Sequence, residues 1–173
     1  MSKILFINEG SASPFNPNNK SVSHYVNPII FNKYKIKDWI EVQSSRFRSK
    51  KRMKEFLLEH NKSNNQLIMV TKSYGCVETY RLMLNDFNLY FGLYNQIKWF
   101  NIDAFSVLGY NLKRDHFQWQ PNWASIVNAY NFRQSNDRIK GAMFMGATDY
   151  HLSSTHMDII NHPTVLRTIK DQC

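Results

Sequence analysis

The chain has little that could lock it by covalent or metal chemistry. Cys76 and Cys173 are its only cysteines in 173 residues. They make no disulfide framework, and no Cys/His spacing resembles a zinc site. Cys76 is expected to be buried at the start of a helix and Cys173 to fray; neither a metal nor a cofactor is expected. No apolar run approaches the length that crosses a bilayer. Met1–Gly10 carries one lysine, a brief apolar run and then Asn8 and Glu9, too short and wrongly flanked for a secretory signal. These absences point to a soluble, cytoplasmic protein. No repeat, low-complexity tract or linker divides the chain, so residues 1–173 are expected to form one domain. No G-x-G-x-x-G or Walker sequence follows the first apolar run. No helix-turn-helix, zinc-finger or aromatic RNA-binding signature is present either.

Negative charge is the scarcer sign: 22 Lys and Arg stand against 13 Asp and Glu, a net charge of +9. The densest basic stretch is Arg46–Lys54, with Arg46, Arg48, Lys50, Lys51 and Arg52. It leads into Glu55–His60 at helical spacing, and its simplest reading is the solvated start of an amphipathic helix. Cations there oppose the helix dipole slightly, which leaves attraction to an anionic surface as a second use. Hydrophobic residues make up 43% and aromatics 14%, so the chain can build a real core.

Short apolar runs alternate with stretches of helical period. Lys3–Asn8, Trp39–Val42, Gln66–Val70, Ile97–Ile102 and Arg138–Met145 read as strands. Helices are expected near Ser21–Phe31 and over Arg48–His60, Cys76–Phe87, Trp123–Phe132 (capped by Asn122) and Pro163–Lys170. Val107–Gln120 reads as a surface excursion and Gly146–Thr155 as a loop. Strand followed by helix, repeated, predicts a three-layer α/β/α fold around a mainly parallel, doubly wound sheet of about five strands. Such a sheet most often takes the order 2-1-3-4-5, with its ligand site at the carboxyl ends of strands 1 and 3.

The loops at that point are Gly10–Ser13, made of small residues, and Thr71–Gly75. The second turns sharply from strand to helix and lifts Ser73 above the sheet edge, the setting of a nucleophile elbow. Serine and glycine are also ordinary turn residues, so the partners matter. A serine hydroxyl needs a base to take its proton and a third group to orient that base. Asp103 stands at the carboxyl end of the fourth strand, and His151 and His156 follow the fifth. Asp86 and Asp115 rival the acid; His151 and His162 rival the base. His24, His60 and His116 read as surface residues. Tyr110, Phe117, Trp119 and Trp123 line an acyl pocket or simply form core.

Ser73–Gly75, Asp103 and Ser154–Ile169 together resemble an α/β-hydrolase of the small lipase/esterase type. His156 with Ile159, Ile160, Pro163 and Val165 matches the superfamily segment that opens on the catalytic histidine. The resemblance implies hydrolysis of a carboxylic ester or thioester, with Ser73 as nucleophile, His156 as base and Asp103 as acid. It places the oxyanion on the backbone N–H groups of Tyr74 and Ser11, with Gly10 and Ala12 beside the substrate. Its partner would be a small ester or lipid. Thr71 replaces the first glycine of G-x-S-x-G, and the leading antiparallel strands are missing, so the fold would be a minimal one. Two other classes share the scaffold: a flavodoxin-like nucleotide module using the Gly10–Ser13 loop, and a basic binder of nucleic acid or anionic surfaces.

Overall fold

The structure is a computed structural model and describes residues 1–10, 21–43, 47–104, 117–137 and 141–173. Its strands are β1 (Ser2–Asn8), β2 (Ile36–Val42), β3 (Asn65–Lys72), β4 (Gln96–Ile102), β5 (Phe117–Gln118), β6 (Val127–Gln134), β7 (Phe144–Met145) and β8 (Thr148–Leu152). The helices are α1 (Val22–Lys33), α2 (Phe47–His60), α3 (Tyr74–Tyr90) and α4 (Pro163–Gln172).

Six strands form the main sheet in the order β2-β1-β3-β4-β6-β8, every neighbouring pair parallel. The order reverses between β1 and β3, as the sequence predicts, so Gly10 and the elbow residues leave the sheet side by side. β3 is buried along its whole length, which explains its unbroken apolar run: a central parallel strand faces core on both sides. Ile4, Phe6, Leu67, Met69 and Trp99 pack with α2 and α3 on one face. Leu5, Ile7, Ile68, Val70 and Phe100 pack with α1 and α4 on the other.

The helices follow from local chemistry. Ser21 caps α1, its hydroxyl accepting the His24 N–H at 3.3 Å. Val22, Val26 and Ile30 recur every four residues and are buried, giving the stripe that packs against α4. In α4, Pro163 occupies the first turn and the imidazole of His162 accepts the Thr164 N–H at 3.2 Å. Val165 and Ile169 form its buried side.

The last third departs from expectation. Trp123–Phe132 is not a helix but a 3-10 turn, Pro121–Trp123, followed by β6. Ile126, Val127 and Tyr130 mimic a helical stripe, but pairing with Ile97–Ile102 of β4 decides the outcome. Of Arg138–Met145, only Phe144–Met145 is a strand, and it pairs with β5 in a separate two-stranded ribbon; residues 138–140 lie outside the described residues. The sixth strand of the main sheet is β8, in the stretch expected to be a loop. As an edge strand it carries Thr148, Asp149 and His151 exposed, and so gives no hydrophobic signal. Most of Val107–Gln120 lies outside the described residues.

Cys173 is also buried rather than frayed, and burial pushes its thiol up to about 12. Among the described residues no helix is long and apolar enough to cross a membrane.

Candidate active site

The elbow is built by backbone geometry. Ser73 has φ 57° and ψ −130°, a conformation that non-glycine residues rarely adopt. Ser73 and Asp103 (φ 45°) are the two non-glycine residues with positive φ among the described residues. The Ser73 N–H donates to the Ile102 carbonyl at 3.0 Å, and its own carbonyl accepts the Cys76 N–H at 3.1 Å. The turn is thus tied to the end of β4 on one side and opens α3 on the other. The Ser73 side chain makes no capping bond to α3, although it holds the cap position.

Gly75 is required by proximity. A Cβ there would lie 2.3 Å from the Asn8 carbonyl oxygen and 2.7 Å from the Gly10 nitrogen. Gly10, at φ 76°, approaches the same place from the other side: a Cβ on it would lie 2.8 Å from the Gly75 nitrogen and 3.0 Å from that of Tyr74. Gly10 and the elbow therefore touch backbone to backbone, and the N–H of Tyr74 opens α3 beside Gly10. Ser11 and Ala12 lie outside the described residues. Thr71, where the motif has glycine, is buried and turns its hydroxyl to the Trp99 indole N–H, 2.8 Å away.

Asp103 is fully buried at the end of β4. Its Oδ2 lies 2.5 Å from Nδ1 of His156, and its Oδ1 accepts the Gln134 N–H at 3.2 Å. The His156 backbone N–H donates to Asp137 Oδ2 at 2.5 Å, so the loop after β8 is anchored where the ring is held. The imidazole is 17% exposed, the mark of a group at the rim rather than in the core. Two of the expected three residues are thereby joined. Ser73 is tied to the pair through Ile102, the neighbour of Asp103, whose carbonyl accepts the Ser73 N–H.

The rivals stand elsewhere. Asp86 is exposed at a kink in α3, and Asp115 is outside the described residues. His151 is exposed on the edge strand and His162 caps α4. His60, expected at the surface, is buried against Asp38, its Nε2 3.0 Å from Oδ2. His116 is outside the described residues. Trp123 is core, stacked on Phe87. Trp119 lines a cleft of about 290 Å³ with Val127, Tyr130 and Thr148, at the amino-terminal half of β6 and away from Ser73. Of the basic cluster, Arg48, Lys50, Lys51 and Arg52 are exposed on α2, with Lys50 paired to Glu78 at 3.0 Å; Arg46 is outside the described residues. Among the described residues no cluster of His, Cys, Asp and Glu could hold a metal ion.

Three titratable groups surround the site. Burial lowers the Lys72 ammonium, against the opposing pull of Asp103 and Glu9. Burial, helped by a hydrogen bond with Glu41, raises the Glu9 carboxyl to about 7. Burial pushes the Cys76 thiol up to about 12, which leaves it an inert core group.

Sequence reading missed a polar row. Asn8, Thr71, Asn101, Asn131 and Asp149 are register partners across five adjacent strands. The signal was present: β1, β4 and the middle of β6 each place an asparagine after apolar residues (FIN, WFN, AYN). The chain matches no family model, and comparison with curated proteins and with solved structures likewise gives no match.

Proposed function

We propose that this protein is a serine hydrolase that cleaves a carboxylic ester or thioester through an acyl-enzyme, on a minimal α/β-hydrolase scaffold. The observation that carries the reading is the 2.5 Å contact between His156 Nδ1 and the buried Asp103 carboxylate, at the same sheet edge as the strained Ser73 turn. A carboxylate on Nδ1 fixes the tautomer, so that the proton sits on Nδ1 and Nε2 offers its lone pair.

In the proposed reaction His156 Nε2 takes the proton of the Ser73 hydroxyl as its oxygen attacks the acyl carbon. The negative oxygen is held by the N–H of Tyr74 and by one from the first loop, Ser11 in our reading. His156 then returns the proton to the leaving alkoxide or thiolate, and water repeats the sequence to release the acid. Asp103 stabilises the imidazolium throughout. The serine–histidine bond is required in the substrate complex, where such bonds tighten as a ligand closes the site.

Strain supports the same assignment. Holding two non-glycine residues at positive φ costs on the order of 1–3 kcal/mol each, and such strain clusters at functional sites. The test is labelling with a fluorophosphonate. Wild type should be labelled at Ser73 and Ser73→Ala should not; folded wild-type protein left unlabelled would overturn the reading.

A further inference from the structure

The acid of the proposed triad is held by more than its hydrogen bonds to His156 and Gln134. Gly141 lies against it: a Cβ at that position would fall 2.2 Å from Asp103 Oδ1 and 3.1 Å from its Cγ. The backbone at 141–142 therefore forms a wall behind the carboxylate. The next residue is held at both ends. Its N–H, Ala142, donates to the Ala104 carbonyl at 2.8 Å, and its carbonyl accepts Nδ2 of Asn131 at 3.1 Å.

Asn131 in turn sits in a directed chain of side-chain bonds. The Trp99 indole N–H donates to Thr71 Oγ1 at 2.8 Å, and Thr71 donates to Asn101 Oδ1 at 3.4 Å. Asn101 Nδ2 donates to Asn131 Oδ1 at 2.5 Å, and Asn131 Nδ2 donates to Asp149 Oδ1 at 2.6 Å. Arg133 closes the chain on Asp149, with Nη2 at 2.6 Å from Oδ2. From Trp99 to Asp149 every donor points the same way, and Arg133 donates to that carboxylate from the far side, so each bond polarises the next. The amide of Asn131 has no rotational choice left. Its oxygen is taken by Asn101, and its nitrogen serves Asp149 and the 142 carbonyl.

We infer that Asn131 is a positioning residue: through Ala142 it seats Gly141 against the Asp103 carboxylate and so sets where that carboxylate meets His156. Its contribution to catalysis rests on the hydrolase reading above, whereas its control of the Asp103–His156 contact does not. Asn131 itself touches neither Asp103 nor His156 through any of the bonds described, and its effect passes through backbone.

The test separates the two claims. A His156 Nδ1–H held by a carboxylate gives a far-downfield proton resonance, read by NMR on the free protein without substrate. Wild type should show it and His156→Gln should lack it. Asn131→Leu keeps the side-chain volume and removes the clamp; Gly141→Ala leaves the clamp and pushes the carboxylate directly. Both should shift or broaden the resonance. Both should also slow fluorophosphonate labelling of Ser73 by about 100-fold, the usual effect of a displacement near 1 Å at a reacting centre. With a short p-nitrophenyl ester the loss should fall in kcat and leave KM little changed. If Asn131→Leu does not fold, Asn131→Ser, too short to hold the 142 carbonyl, takes its place, and an unchanged resonance there overturns the inference. An unchanged resonance in folded Asn131→Leu overturns the inference, as does its absence from wild type. A resonance that responds as expected in a protein never labelled at Ser73 keeps the clamp and removes the hydrolase.

Discussion

Ser73 spends conformational energy that an unconstrained turn would not. At φ 57° and ψ −130° a glycine would be relaxed. Ser73→Gly should therefore be more stable than Ser73→Ala by roughly 1–3 kcal/mol, read as a higher urea midpoint, while both variants lose labelling. A stability order reversed from this would mean that the turn carries no strain. Asp103→Asn should keep the fold and lower kcat by about 10,000-fold, because the amide favours the wrong imidazole tautomer. Glu9 makes a pH prediction. Its carboxyl titrates near 7 in the folded protein against an ordinary 4.5, so the folded state holds a proton that the unfolded state releases. Its contribution is full below about pH 4.5 and is lost as pH rises through 7. Thermal melts of wild type should weaken over that window relative to Glu9→Gln, which cannot ionise and still offers an oxygen to the Val22 N–H. Parallel curves for the two proteins would contradict this assignment.

At the scale of elements, α1 shows how a weak sequence signal becomes a firm structure. Its stretch is rich in asparagine and contains Pro28 inside the helix. It is secured by the Ser21 cap, by Glu9 Oε1, which accepts the Val22 N–H at 2.5 Å, and by burial against α4. Ser21→Ala should lower stability by about 1 kcal/mol in urea unfolding, the usual worth of such a cap. Ile169→Ala in α4 should cost about 2–5 kcal/mol, since Ile169 is fully buried at that contact. A smaller loss at Ile169 than at Ser21 would show that the α1–α4 layer holds little of the fold. The first two-thirds of the chain was legible because β1, β3 and β4 are central strands with short apolar runs, and because Ile40 and Val42 give the edge strand β2 a buried end. β6 and β8 were not. The alternation in β6 is blurred by paired apolar neighbours, and β8 shows its polar side to solvent. Pairing geometry, absent from a linear reading, decides both.

For the whole molecule, charge and topology act separately. The net charge of +9 is not gathered at the candidate site, where Lys72 is buried and feels the negative charge of Asp103, Glu9 and Asp158. Exposed cations lie instead on α2, at Arg48, Lys51 and Arg52. Binding to phosphatidylserine vesicles should fall steeply with added salt and should weaken further when these three are changed to glutamine. Hydrolysis of a soluble short-chain ester should be untouched by the same changes. Binding that survives the triple change would place the attraction elsewhere. Topology accounts for the site itself: the strand reversal at β1 and β3 sets Gly10 beside the elbow, and the parallel order carries Asp103 and His156 to the same rim.

The chain's own order of residues was enough to determine the class of fold, the switch point, the sharp turn at Ser73 and the sequence Ser73, Asp103, His156. Each depends on local pattern: apolar runs, turn chemistry, and residues placed just past strand ends. Only the folded molecule decided that Asp103 rather than Asp86 meets His156, that Thr71 is accommodated by turning to Trp99, and that Gly141 and Asn131 stand behind the carboxylate. Those contacts join residues tens of positions apart across register-paired strands. Distance along the chain carries no information about them until the sheet has closed.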